Sequence, residues 1–340
     1  MKLLKRTTLV RGLLLLALSL SAGGAGAVVL KIATVSPDGS SWMVKMRAGA
    51  KAVTEATEGR VKFKFYPGGV MGNDRAVLRK IRLGQLQGGA VPGGSLAKFA
   101  PNSQLYNLPL LFRSFREVDF VRERMDRLIV EELEDGGFVT FGLGEGGLAY
   151  LMTDAEVTQV EQLRKKKVWV PDNDPTTVGV VESFGVSPIP LSIGDVLPGL
   201  QTGMIDTVAT SPIAALALQW HTQVSHMTDI PLLYFYAVLA IDKKVFNRLE
   251  AGDQIVVRDI MGKVFADIDK QNRKDNLDAF AAMQKQGITL SRPSSEQADI
   301  WHQSAERAID DIVQNGGVSK PLYQQLMDYL EQYRGAQAKL

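Results

Sequence analysis

Hydrophobic and polar positions along the chain divide it into two runs of alternating strands and helices, followed by helices alone. "VVLKIATV" (28–35) is a near-continuous apolar run and predicts a buried strand, broken by Ser36-Pro37-Asp38-Gly39. Residues 40–57 have helical spacing, with Ser40 or Ser41 as N-cap. "RVKFKFY" (60–66) sets Val61, Phe63 and Phe65 against Arg60, Lys62 and Lys64, a strand with one wet face. "DRAVLRKIRLG" (74–84) predicts an amphipathic helix ending at Gly84, and "QGGAV" a short strand. A helix over 114–135 leads to strand-like 138–144 and 148–153. The second run is a strand at 166–171, a helix at 176–185, extended 187–192, a helix at 193–203 with Pro198 in it, and a strand at 205–211. Apolar residues then recur at helical spacing from Ile255 to Met283 with no proline, so one long helix is expected over 251–286, and two more near 294–314 and 319–337.

Two β-α-β-α-β series predict two α/β lobes. In open α/β sheets ligands bind beyond the carboxyl ends of strands. Here the loops at 36–42, 91–95, 144–149, 171–176 and 210–213 follow strands, and most carry Ser, Thr or Gly that expose backbone N–H groups. Ser41, Gly94 and Thr176 are candidate contacts on these loops. Trp42, Tyr150, Trp169, Tyr234 and Tyr236 lie near strand ends or helix starts and together suit a cleft that stacks a flat or cationic group. In "KKKVWVP" alternation sets Trp169 opposite Val168 and Val170, so if the valines face a core, Trp169 faces something else.

The N-terminus changes the picture by fixing the compartment. Lys2, Lys5, Arg6 and Arg11 precede an apolar run from Leu13 to Leu20 that closes on Ala25-Gly26-Ala27, the pattern of a secretory signal peptide cleaved after Ala27. The whole chain holds 39 basic and 37 acidic side chains; without the four signal cations 35 face 37, which gives no support for nucleic-acid binding. With no cysteine there is neither a disulfide nor a thiolate metal site. The 340 residues are enough for a core in each of two lobes.

Catalytic chemistry finds little footing. "GLGEGG" (142–147) has the G-x-G-x-x-G spacing, but strand-like "LAYLMT" follows where a dinucleotide site needs a helix; a glycine crossover between lobes is the simpler reading. His221 and His226 are five apart, off the same-face spacing of a helical metal pair. "DND" (172–174) reads as a turn with an Asp or Asn helix cap. No nucleophile–base pair stands out, so no cofactor, metal or catalytic residue is expected.

Several segments coincide with one family. "LKIATVSPDGSSW", "FYPGGVMGNDRAVLRKIRLGQL", "NLPLLFRSFREV" and "GLQTGMIDTVATSP", with the long helix, make the chain resemble the solute-binding proteins of TRAP (tripartite ATP-independent periplasmic) transporters over nearly all of its mature length. The resemblance implies a periplasmic-binding-protein-like fold: two α/β lobes joined by crossing strands and a long spanning helix, with the ligand cleft between them. It implies lobe I from 28–146 plus about 235–270, lobe II from 147–234 plus about 271–310, and C-terminal helices at 311–340 packing on the lobes. It further implies a non-enzymatic periplasmic monomer that closes on a small molecule and docks on TRAP membrane permease subunits. A ligand sensor on the same fold and, further off, a secreted hydrolase are the alternatives.

The departures from that family bear on the ligand. Where members carry a carboxylate-binding arginine in the strand, this chain has Trp169; a second arginine position holds Ala149; and Ser211 stands for the usual asparagine. Either Lys167 or Arg75 substitutes, or the ligand is a neutral polar molecule or a cation contacted by Trp169, Tyr150, Glu145 and Asp174.

Overall fold

The computed structural model describes residues 27–172 and 174–337. The signal-peptide expectation, apart from Ala27, lies outside the described residues. The first series forms as the pattern predicts. Strands β1 (Val28–Thr34), β2 (Val61–Tyr66) and β3 (Gly88–Pro92) are connected by helices Ser41–Ala56 and Asp74–Arg82, and β1 pairs in parallel with both neighbours. Ser40 and Asn73 start these helices by accepting from Met43 N and Ala76 N, which satisfies one orphan donor in each first turn.

After helix Phe115–Asp135 comes the first departure. The strand-like stretch at 138–144 is cut to β4 (Phe138–Val139), while β5 runs unbroken from Gly144 to Thr153 and absorbs the second half of the glycine motif. Further on lie β6 (Trp169–Pro171), helix Pro175–Ser183, β7 (Ile189–Leu191), helix Val196–Gln201 and β8 (Thr207–Thr210). Pro198 is the third residue of its helix, where a missing N–H forfeits no intrahelical bond. β6 and β7 form a small parallel sheet tied to β8 by a bridge between Val168 and Thr207.

Three strands escaped the periodicity: β9 (His226–Thr228), β10 (Leu233–Asp242) and β11 (Thr289–Ser291). β10 matters most. It pairs antiparallel with β3 on one side and with β5 on the other, so one sheet runs in the order β11-β9-β5-β10-β3-β1-β2. β5 also pairs with β8 and β9. The two halves of the molecule therefore share β5 and β10 as crossing strands, with apolar clusters in each half.

The long helix, Ala251–Lys285, spans both halves. It packs on helix Ser41–Ala56 near its start, on β5 in its middle and on helix Pro212–Ala217 beyond. Its buried face (Val257, Met261, Phe265, Ile268, Asn272, Asn276, Ala279, Met283) turns polar where it crosses the glycine segment. There Asn272 Nδ2 donates to Glu145 O at 2.7 Å, and Asn276 lies against Gly147, whose φ of +104° and lack of a Cβ permit the approach. The motif at 142–147 is thus a close crossing of strand and helix. Helices Ser295–Gln314 and Lys320–Gln337 complete the chain, the latter packing on Phe115–Asp135. Among the described residues no helix is long and apolar enough to cross a membrane.

Candidate functional site

A cavity of about 530 Å³ lies between the two halves. Crossing strands make its floor: Glu145, Gly146 and Leu151 from β5, and Leu233, Phe235 and Ala237 from β10. One wall comes from the ends of β1 and β3, the other from the ends of β6 and β8, as the rule for open α/β sheets requires.

Of the residues singled out in the sequence, Ser41, Trp42, Gly94, Glu145, Trp169, Asp174 and Ser211 border this cavity. Trp42 sits edge-on to Phe265 at 5.4 Å, and its indole N–H has no protein partner among the described residues. Trp169 is 8% exposed; its Nε1 donates to Leu191 O at 3.0 Å and its ring meets Trp220 edge to face at 5.1 Å. That single N–H is spent on the β6–β7 sheet, so Trp169 offers a ligand its ring alone. Val168 borders the cavity too, so the expected division between valine and tryptophan faces does not hold: β6 is buried on both sides.

Asp174 caps helix Pro175–Ser183, with Oδ1 accepting from Thr177 N at 3.0 Å and Oδ2 from Thr177 Oγ1 at 2.5 Å. Thr177, rather than Thr176, borders the cavity. Burial raises the Asp174 pKa against the pull of those hydrogen bonds. Ser211 is fully buried at the start of helix Pro212–Ala217, and its hydroxyl finds no protein partner among the described residues.

Other candidates point elsewhere. Tyr234 and Tyr236 are on the face of β10 opposite Leu233 and Phe235; Tyr234 Oη accepts from Arg122 at 2.7 Å and Tyr236 Oη donates to Ser103 O at 2.8 Å, both inside the core. Tyr150 packs edge-on to Phe280 at 5.4 Å, and burial pushes its hydroxyl up to about 12. Ala149 is enclosed and its carbonyl accepts from Leu232 N. Neither Tyr150 nor Ala149 reaches the wall.

Neither substitute cation reaches it either. Lys167 Nζ donates to Gly203 O at 2.8 Å, and Arg75 Nη2 to Asp172 O at 2.7 Å. The Arg75 contact, with Asn73 Nδ2 on Asp172 Oδ2 at 2.9 Å, ties the helix after β2 to the turn after β6.

Among the described residues lining the cavity there is no lysine, arginine or histidine; the charged ones are Asp74, Glu145 and Asp174. Glu145, 1% exposed, is gripped by Arg273, whose Nε lies 2.7 Å from Oε1, while Arg273 also binds Asp119. Burial raises the Glu145 pKa and Arg273 opposes it. Among the described residues Asp74 has no such counter-ion. Its Oδ2 accepts from Ser95 Oγ at 2.9 Å, and burial, with the Asp172 charge, lifts it to about 6. Sequence reasoning missed Asp74, which reads there as an ordinary first-turn acid, and Phe235, hidden between two tyrosines in a strand the pattern did not predict.

Comparison with known proteins places this architecture. A sequence model of bacterial extracellular solute-binding proteins, family 7, matches residues 32–315. The chain belongs to this family. Among curated proteins of similar sequence, the uncharacterized protein YiiZ of Salmonella typhimurium is 26% identical over 56% of this chain and 61% of its own length. The sialic acid-binding periplasmic protein SiaP of Vibrio cholerae is 20% identical over 83% of this chain and 88% of its own. In structure, the sugar acid binding protein DctPAm of Advenella mimigardefordensis, solved in complex with galactonate, superposes with a TM-score of 0.82 at 17% identity, covering 90% of this chain and 99% of that one. This family 7 chain therefore has the two-lobed fold of the TRAP periplasmic solute-binding proteins.

Proposed function

We propose that this chain is the extracytoplasmic receptor of a TRAP-type secondary transporter, a periplasmic, monomeric, non-enzymatic protein that closes on a small ligand and presents it to a membrane permease, and that this ligand is not a simple carboxylate. The observation that carries the second half is the charge of the residues lining the cavity: three acids, of which Glu145 is already paired with Arg273, and no cation among the described ones. A sugar acid of the kind bound by the Advenella neighbour would bring its carboxylate to a wall with no cation, among its described residues, to pair it. The guanidinium behind Glu145, that of Arg273, does not line the cavity and is already shared between Glu145 and Asp119. Leaving a buried carboxylate unpaired costs several kcal/mol. Trp169, with its N–H committed to Leu191 O, supplies stacking area where a bidentate arginine would be needed.

Closure follows from geometry. A ligand touching both walls is favoured only when the walls are near each other, so binding shifts the hinge equilibrium toward the closed state. A thermal-shift screen tests the ligand class, because a ligand of the native state raises the melting temperature by mass action. Neutral or cationic solutes should give the largest shifts, and Trp169→Ala should weaken their binding. Largest shifts from sugar acids or dicarboxylates would overturn the reading. Delivery is tested by ligand uptake into vesicles holding the cognate permease, which should require this protein; uptake unchanged without it would remove the transport role.

A further inference from the structure

One face of helix Pro175–Ser183 gives the cavity a long, mostly apolar wall. Thr177, Val180, Val181 and Phe184 all border it, at the spacing of a single helical stripe. Phe184, which ends the helix, lies 5.8 Å from the ring of Trp301, another residue of the wall. Asp174 caps the opposite end. At 1.5 Å per residue the stripe from Thr177 to Phe184 is about 10 Å long. Its polar end meets the other wall at Gly94. A methyl placed on Gly94 would lie 3.5 Å from Asp174 Oδ2 and 3.6 Å from Asn107 Nδ2, so an acceptor from one wall and an amide from the other flank a gap the size of a methyl group. Asn107 ends the 3-10 helix Pro101–Asn107, which packs on the turn that holds Gly94. Its Oδ1 is buried and has no protein partner among the described residues. The same holds for Ser211 Oγ and Trp42 Nε1, whose residues also border the cavity. All three orphaned groups are neutral.

Resting on the non-carboxylate reading above and narrowing it, we propose that the ligand is an uncharged, elongated molecule. Its apolar body, about 10 Å long, lies along helix Pro175–Ser183. Its head, a carboxamide or a hydroxyl that both donates and accepts, sits at Gly94 between Asn107 and Asp174. Asp174 already accepts from Thr177 N and Thr177 Oγ1, yet an ionised carboxyl offers about four acceptor sites, so it can take a further N–H or O–H. The Asn107 amide donates to the head in return. The orphaned groups set the charge. A buried polar atom without a partner costs free energy that a hydrogen bond from a ligand recovers, and neutral groups are answered by a neutral head. No ion then has to leave water for a wall of Val180, Val181 and Phe184. The head touches both walls at once, so the contact that selects it also favours closure.

The test uses the mature chain and probes that share one body, 4-phenylbutanamide, 4-phenylbutanol, 4-phenylbutylammonium, 4-phenylbutanoate and headless butylbenzene, by thermal shift and calorimetry. The amide or the alcohol should bind most tightly, and phenylacetamide, with the amide head on a shorter body, more weakly. Asn107→Ala should weaken the amide about threefold to tenfold and leave butylbenzene unchanged, a split that a merely structural change does not produce. Gly94→Ala meets only ordinary contacts, should give the same split, and carries the test if Asn107→Ala does not fold. Tightest binding by the ammonium overturns the neutral assignment while the non-carboxylate reading stands. Tightest binding by the carboxylate overturns both. Binding by none of the probes, butylbenzene or phenylacetamide binding as tightly as 4-phenylbutanamide, or a ratio of amide to butylbenzene affinity unchanged in both variants overturns the assignment.

Discussion

Replacing Asp74 with asparagine should stabilise the ligand-free protein above pH 6. Asp74 is 7% exposed, and burial first, then the Asp172 carboxylate, lifts its pKa from 3.8 to about 6 despite the Ser95 hydrogen bond. An acid with a raised folded pKa holds its proton in the native state to higher pH than in the unfolded one. Between about 4 and 6 the native state therefore binds more protons, and stability falls as pH rises through that window. Above it the full penalty is present, about 3 kcal/mol for a shift of this size. Asparagine removes the charge but weakens the bond from Ser95 by about 1 kcal/mol. The net gain should be about 1–2 kcal/mol at pH 8 and close to zero at pH 4. Urea unfolding of both proteins at the two pH values, with unchanged m, measures it. An Asp74→Asn variant less stable than the parent at pH 8 would show that the carboxylate is well solvated or paired, and would refute the argument.

Other consequences follow from the same geometry. Arg273→Leu should destabilise the fold by about 3–5 kcal/mol, because it strands Glu145 inside the strand–helix crossing; chemical denaturation reads the loss, and Glu145→Gln in the same background should recover part of it. Phe235→Ala and Tyr236→Phe separate the two faces of β10. The first should cut affinity for whatever ligand the screen identifies, while the second should cost about 1 kcal/mol of stability through the Ser103 contact and leave affinity unchanged; the reverse pattern would mean that the tyrosine face borders the ligand. Gly94→Ala meets only ordinary contacts at 3.5 and 3.6 Å, so it should fold normally yet lower ligand affinity in calorimetry by filling the gap beside Asp174.

What could be read from the sequence follows the range of the forces involved. Helix starts at Ser40, Asn73 and Ser114 are local chemistry, an oxygen reaching the backbone three residues on, and the pattern shows the helices they begin. The long helix was legible because its buried face repeats over its whole length. β10 was not, since it is covered on both faces and "LYFYAVLA" carries no alternation. That one omission decided the aromatic candidates. Without a strand at 233–242 nothing assigns Tyr234 and Tyr236 to one face and Phe235 to the other, so two core tyrosines looked like cleft residues and the phenylalanine beside them did not. Glu145 shows the same limit in charge: its counter-ion Arg273 is 128 residues away, and only the crossing of β5 with the long helix joins them. That Ala149 and Trp169 are apolar is visible in the chain alone, but whether a cation borders the cavity is a statement about every residue around it. Lys167 and Arg75 turn to Gly203 and to Asp172, which nothing in their sequence neighbourhood announces.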